Sequence, residues 1–113
     1  MRLSLGMMWS PDLNPPSSGL PADIDEYEIA MQISVSEVGG SGGEVFSLAI
    51  CTPAALLKTE GGTFLSHTLV LTPFSWDSLR ARLDKLLAQC GSCDSWGDVI
   101  HRLSPFLRHD DAG

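Results

Sequence analysis

Tyr27-Glu28-Ile29-Ala30-Met31-Gln32-Ile33-Ser34-Val35-Ser36 alternates, residue by residue, between large apolar side chains and small or polar ones. Successive side chains of a strand point to opposite faces. Tyr27, Ile29, Met31, Ile33 and Val35 therefore share one face, and Glu28, Ala30, Gln32, Ser34 and Ser36 share the other. One face packed inward and one facing water is the pattern of an antiparallel sheet. Gly39-Gly40-Ser41-Gly42-Gly43 supplies a reversal. Phe46, Leu48 and Ile50 then repeat the inward face, with the small residues Ser47, Ala49 and Cys51 behind them. The two segments predict a hairpin.

On the N-terminal side, residues 10–22 hold four of the seven prolines and read as an extended loop. Before it, Leu3, Leu5, Met7 and Trp9 recur at the strand period, with Ser4, Gly6 and Met8 on the reverse. On the C-terminal side, Thr52-Pro53 is a helix start, Thr as cap and Pro at the first position. A short helix over Ala54 to Lys58 should end at Gly61-Gly62. Residues 64–71 are more continuously apolar than the other strands and predict a fourth, more central strand. Ser75 caps a helix whose Trp76, Leu79, Leu83, Leu86 and Leu87 fall at helical spacing, with Gly91 as its stop. Ser95, with Asp98 three residues on, caps another that carries Trp96, Val99, Ile100 and Leu103, before Pro105. Residues 108–113 read as a frayed tail.

Strands and helices are segregated rather than alternating, which predicts an α+β fold. The expectation is a mostly antiparallel four-stranded sheet, one short helix, and two C-terminal helices packed on one face. The 113 residues fit a single domain spanning 1–113. With 43% apolar residues the chain can build a core without staples.

Seven Lys and Arg oppose fourteen Asp and Glu, a net charge of −7. Phosphate binding needs basic residues, so nucleic acid is not expected as a direct partner. No basic residue stands between Arg2 and Lys58, a stretch holding Asp12, Asp23, Asp25, Glu26, Glu28, Glu37 and Glu44. Such asymmetry points to one acidic surface; an acidic protein suits a basic partner, and the alternative is that the charge only keeps the chain soluble. No run approaches the ~18 consecutive apolar residues a membrane span needs. The three cysteines are Cys51, Cys90 and Cys93; an odd number without a cleavable leader pattern suggests reduced thiols in the cytoplasm.

The chemistry-bearing residues form no catalytic constellation. Cys90-Gly91-Ser92-Cys93 lacks the second ligand pair that zinc requires, and it lies between two helices rather than after a strand. A turn with buried thiols is the favoured reading. His67 sits among Leu65 and Leu69, as a core or edge histidine would. The acidic run Asp23 to Glu28 lacks the glycine and distal Glu of a calcium loop. No metal or other cofactor is implied. Trp76 and Trp96 lie in phase with the apolar faces of their helices, whereas Trp9 ends a strand and is the tryptophan free for an interface.

Several of these stretches resemble one family in order and spacing: Trp9-Ser10-Pro11-Asp12-Leu13, the alternating strand with its glycine loop and Phe46, and Ile50-Cys51-Thr52-Pro53-Ala54-Ala55-Leu56 above all. His67-Thr68-Leu69-Val70-Leu71, Phe74, Ser95-Trp96 and Leu103 complete the set. The chain resembles the immunity protein 8 family of bacterial polymorphic toxin systems. It departs at Ala54-Ala55, where members usually carry a Trp. The resemblance implies a non-enzymatic, stoichiometric inhibitor that binds a cognate toxin, without a catalytic residue. An adaptor or assembly subunit with a different protein partner is the alternative. The expected contacts with a basic toxin surface are Asp23, Asp25, Glu26 and Glu28, the sheet positions Gln32, Ser34 and Ser36, and Trp9.

Overall fold

A computed structural model of the chain describes residues 1–40, 42–58 and 65–110. In chain order the elements are β1 (Leu3–Trp9), β2 (Glu28–Glu37), β3 (Gly43–Cys51), α1 (Pro53–Leu57), β4 (Thr68–Val70), α2 (Trp76–Ala88), α3 (Trp96–Leu103) and β5 (Arg108–His109). The fold is α+β. The strand order is β1-β2-β3-β4, with β5 also paired to β3.

The β2–β3 hairpin is the centre. Its antiparallel register sets Ile29 opposite Ile50, Met31 opposite Leu48 and Ile33 opposite Phe46, so the large apolar side chains meet on one face. Met31, Ile33, Phe46 and Ile50 are fully buried. Leu79, Leu83 and Leu87 of α2 and Val99 and Leu103 of α3 join them in one core, which places both C-terminal helices on that face. Full burial of such a side chain contributes roughly 1.5–3 kcal/mol. Gly39 adopts φ +79° where the chain turns after β2, a conformation that side-chain-bearing residues resist.

The caps act as the sequence predicts. Thr52 Oγ1 accepts from Ala55 N at 3.3 Å, Ser75 Oγ from Ser78 N at 3.3 Å and Ser95 Oγ from Asp98 N at 3.2 Å. Thr52 is wholly buried, and its hydroxyl also accepts from Tyr27 N at 3.2 Å, so one side chain joins the start of β2 to the end of β3. Trp76 and Trp96 are half-buried against the core.

Three expectations need correction. Alternation does not run through β1: the register against β2 shifts between Leu5 and Met8, a bulge that turns Met8 inward and leaves Met7 65% exposed. At the bulge Met7 N donates to Ser34 Oγ at 2.8 Å, and a Cβ on Gly6 would stand 2.5 Å from that oxygen. The fourth strand is not central. Thr68–Val70 is a three-residue edge strand running parallel to β3, and Val70 is exposed; the predicted start of this strand at Phe64 lies outside the described residues, as does Gly61-Gly62. Among the described residues the sheet has five strands, because Arg108 and His109 of the supposed tail pair with Ser47 and Phe46. β4 and β5 thus share one edge of β3, β4 beside Ala49 to Cys51 and β5 beside Phe46 and Ser47.

Tyr27 supplies a testable link between this packing and pH. Its hydroxyl donates to Leu71 O, its ring meets Phe74 edge-on at 5.5 Å, and burial pushes the phenol from 10.0 up to about 12. The folded state holds this proton more tightly than the unfolded state does. The stabilisation is therefore complete below pH 10 and is lost as pH rises from there through about 12. Urea unfolding should show wild-type stability falling over that window. Tyr27→Phe should start about 1 kcal/mol lower at pH 8 and lack most of the decline.

Candidate binding face of the sheet

The face of the sheet turned away from the helices pairs Glu28 with Cys51, Ala30 with Ala49, Gln32 with Ser47 and Ser34 with Val45. Of these only Cys51 is buried. The face is concave. Two depressions of about 590 and 450 Å³ share Ala30, Ser47 and Arg108 and so form one continuous hollow. Ala30, Ser47 and Ala49 make a floor of small side chains. Trp9, Pro11 and Asp12 border it on the β1 side, and His67 and Arg108 on the β4–β5 side.

Each border is fixed by backbone needs. β1 ends at Trp9 opposite Gln32, so Ala30 N has no strand to donate to; Asp12 Oδ2 accepts from it at 2.8 Å in place of the missing carbonyl. Asp12 N in turn donates to Oγ of the buried Ser10 at 3.1 Å. Opposite, His67 carries a left-handed φ of +52°. Ala49 N donates to His67 O at 2.8 Å, and His67 Nε2 lies 2.7 Å from Ser104 O. Its neighbour is a carbonyl, an acceptor only, so Nε2 carries the hydrogen. Arg108 is brought in by β5: Asp110 N donates to Val45 O at 2.8 Å, and His109 Nε2 sits 2.8 Å from Glu44 Oε2, with its ring 5.4 Å from that of Phe46.

The expected contact residues divide between two places. Glu28, Gln32 and Trp9 line the hollow. Ser34 and Ser36 lie farther along the same face, beyond the lining; a strand rises about 3.3 Å per residue, so Glu28 and Ser36 are roughly 26 Å apart. The hydroxyl of Ser34 is engaged by the β1 bulge. Asp23, Asp25 and Glu26 sit in the turn before β2 and do not line the hollow. Asp23 Oδ1 accepts from Asp25 N at 2.9 Å, and Glu26 pairs with Lys58. Sequence reading did not single out Asp12, His67, Arg108 or Asp110 for this face. Asp12 had a signal, since it lies three residues after Trp9. Arg108 and Asp110 had none while the tail was read as frayed.

Cys51 and Cys90 do not carry the marks of reactive thiols. All three cysteines are free and buried. Burial, then the nearby Glu28 carboxylate, pushes the Cys51 thiol up; burial and the Cys93 thiol do the same to Cys90. A reactive cysteine needs the opposite shift. Among the described residues no three His, Cys, Asp or Glu side chains group as metal ligands, and no helix is long and apolar enough to cross a membrane.

Helices on one face of a sheet and a concave, polar, carboxylate-bordered surface on the other define a small one-sided α+β protein. The chain belongs to the immunity protein 8 family, whose model matches residues 8–110. Membership implies an immunity protein, with a toxin as its partner, from a family that is generally non-enzymatic. No curated protein and no solved structure matches the chain.

The backbone at His67 can be tested directly. Asn tolerates the left-handed region and a β-branched residue resists it. Both His67→Asn and His67→Val remove the ring contact with Ser104. His67→Val should nevertheless be less stable than His67→Asn by about 1–2 kcal/mol, measured by chemical denaturation; equal stabilities would show that φ at this position relaxes freely.

Proposed function

We propose that the protein binds and neutralises a cognate bacterial toxin by stoichiometric protein–protein interaction, in the cytoplasm of the cell that makes the toxin. The family match across residues 8–110 carries this reading. A standard interface buries about 800 Å² on each partner, roughly an eighth of the 6836 Å² surface of the described chain. The proposed contacts are Asp23, Asp25, Glu26 and Glu28 before and at the start of β2, the sheet positions Gln32, Ser34 and Ser36, and Trp9 at the end of β1. Together they would present a mainly acidic surface to a basic toxin face.

The charge distribution supports a kinetic role. An inhibitor protecting its own cell must meet the toxin before the toxin meets its target. Complementary charge raises association rates well above the neutral range and is screened by salt. Removing exposed acidic groups should therefore change the rate of encounter more than the lifetime of the complex.

Co-expression with the toxin encoded beside it should restore growth, and an inactive toxin variant should co-purify with the protein at a fixed ratio. Titrating toxin activity should give a linear loss ending at that ratio. Inactivation by a small fraction of an equivalent would show catalysis and reject the reading. The triple change Asp25→Lys, Glu26→Lys and Glu28→Lys should slow association by about tenfold at low salt, with the difference closing near 1 M.

A further inference from the structure

We propose that the hollow between Trp9 and His67 receives a protruding segment of the toxin that carries a lysine or arginine, and that the cation of that segment lies between the carboxylates of Asp12 and Glu28. The proposal rests on the immunity reading above and names the place and the chemistry of the contact.

The acidic turn is the more obvious docking point, but two of its carboxylates already have local roles. Glu26 is paired with Lys58 and Asp23 holds its own turn. Glu28 makes no hydrogen bond or ion pair among the described residues, and it lines the hollow together with Asp12. Asp12 uses Oδ2 on Ala30 N, which fixes its carboxylate at the border without engaging Oδ1 among the described residues. Asp110 adds a third carboxylate farther along. Arg108 is the one Lys or Arg in the lining. The hollow as a whole is therefore acidic and suits a cation.

Its shape suits a protruding segment rather than a flat surface. Ala30, Ser47 and Ala49 occupy central strand positions where β-branched and aromatic residues are usually favoured. With small side chains there, an incoming backbone can approach the sheet closely. The borders are tied by hydrogen bonds, on one side Asp12 to Ala30 N and on the other His67 to Ala49 N and to Ser104 O, with His67 at φ +52°. Non-glycine residues persist in this region only where the surroundings hold them, and they cluster at binding sites. Arg108, on the side opposite Asp12, gives the contact polarity: the segment must offer it an acceptor while offering a cation to Asp12 and Glu28. A uniformly basic segment would be repelled at Arg108, so the arrangement selects among basic partners.

The experiment measures equilibrium binding of an inactive toxin variant to the full chain. Ser47→Arg fills the floor and adds a cation. Glu28→Gln removes one exposed charge and leaves the volume unchanged, so it reports on the site even if Ser47→Arg perturbs folding, which circular dichroism would detect. Asp84→Asn on α2 is the control, the same change in charge on an element of the opposite face. Ser47→Arg should weaken binding by about a hundredfold and Glu28→Gln by about tenfold, with Asp84→Asn within about twofold of wild type. Wild-type binding that neither Ser47→Arg nor Glu28→Gln weakens would overturn the hollow and leave the immunity reading standing. No complex with the wild-type chain would overturn both.

Discussion

Burial of a single face of the β2–β3 hairpin is the constraint on which the rest of the molecule depends. Side chains alternate along both strands, so the register that joins Ile33 to Phe46 also joins Gln32 to Ser47 on the reverse. A slip of one residue would exchange the two faces and place serine, glutamine and alanine in the core. Every other element answers to that register. The helices α2 and α3 exist to cover the apolar face, since neither is long enough to be stable alone in water. Thr52 ties the two strands where they leave the hairpin, and Tyr27 carries the connection on through Phe74 to Trp76.

The outer edge of β3 shows how the core and the free face are coupled. An unpaired central strand would be an invitation to aggregation. Two short segments distant in sequence close this edge, β4 beside residues 49–51 and β5 beside residues 46–47. Each is fastened on the core side, β4 by half-buried Leu69 and β5 by buried Leu107 and the tilted contact of His109 with Phe46. Each also projects a residue past the edge toward the free face, His67 from the approach to β4 and Arg108 from β5. Apolar packing on one side of the sheet thereby positions polar groups on the other.

How much of this was legible follows from the range of the interactions involved. The hairpin, the three helix caps and the buried stripes of α2 and α3 depend on spacing within one segment, and periodicity displays them. The β1 bulge depends on a partner 27 residues away, Ser34, and alternation in β1 alone gave no sign that Met8 rather than Met7 would turn inward. Apolar content alone predicts a central place for the run ending at Leu71; a three-residue parallel pairing holds it at an edge instead. β5 is not legible, for a different reason. Two residues carry no periodicity, and their pairing is fixed by Glu44, Val45 and Phe46, more than 60 positions earlier. The free face was half legible: Glu28 and Gln32 fall on it by parity, whereas Trp9 is turned onto it by the β1 bulge, and His67 and Arg108 reach it only through tertiary structure.

A protein that waits for a partner with one sheet face uncovered must meet two opposed demands. A large apolar surface would bind strongly but would also associate with itself. A fully charged surface would stay soluble but would pay heavily in desolvation on contact. The composition of this face lies between the two. Its centre is alanine and serine, small enough to admit another backbone and too small to form an adhesive patch. Its charges are confined to the borders, where Asp12, Glu28 and Arg108 remain hydrated until something enters. The same hairpin register that removes Met31, Ile33 and Phe46 from water leaves these residues in it. Core and recognition surface are thus two readings of one alternation, and a change that strengthens one by shifting the register abolishes the other.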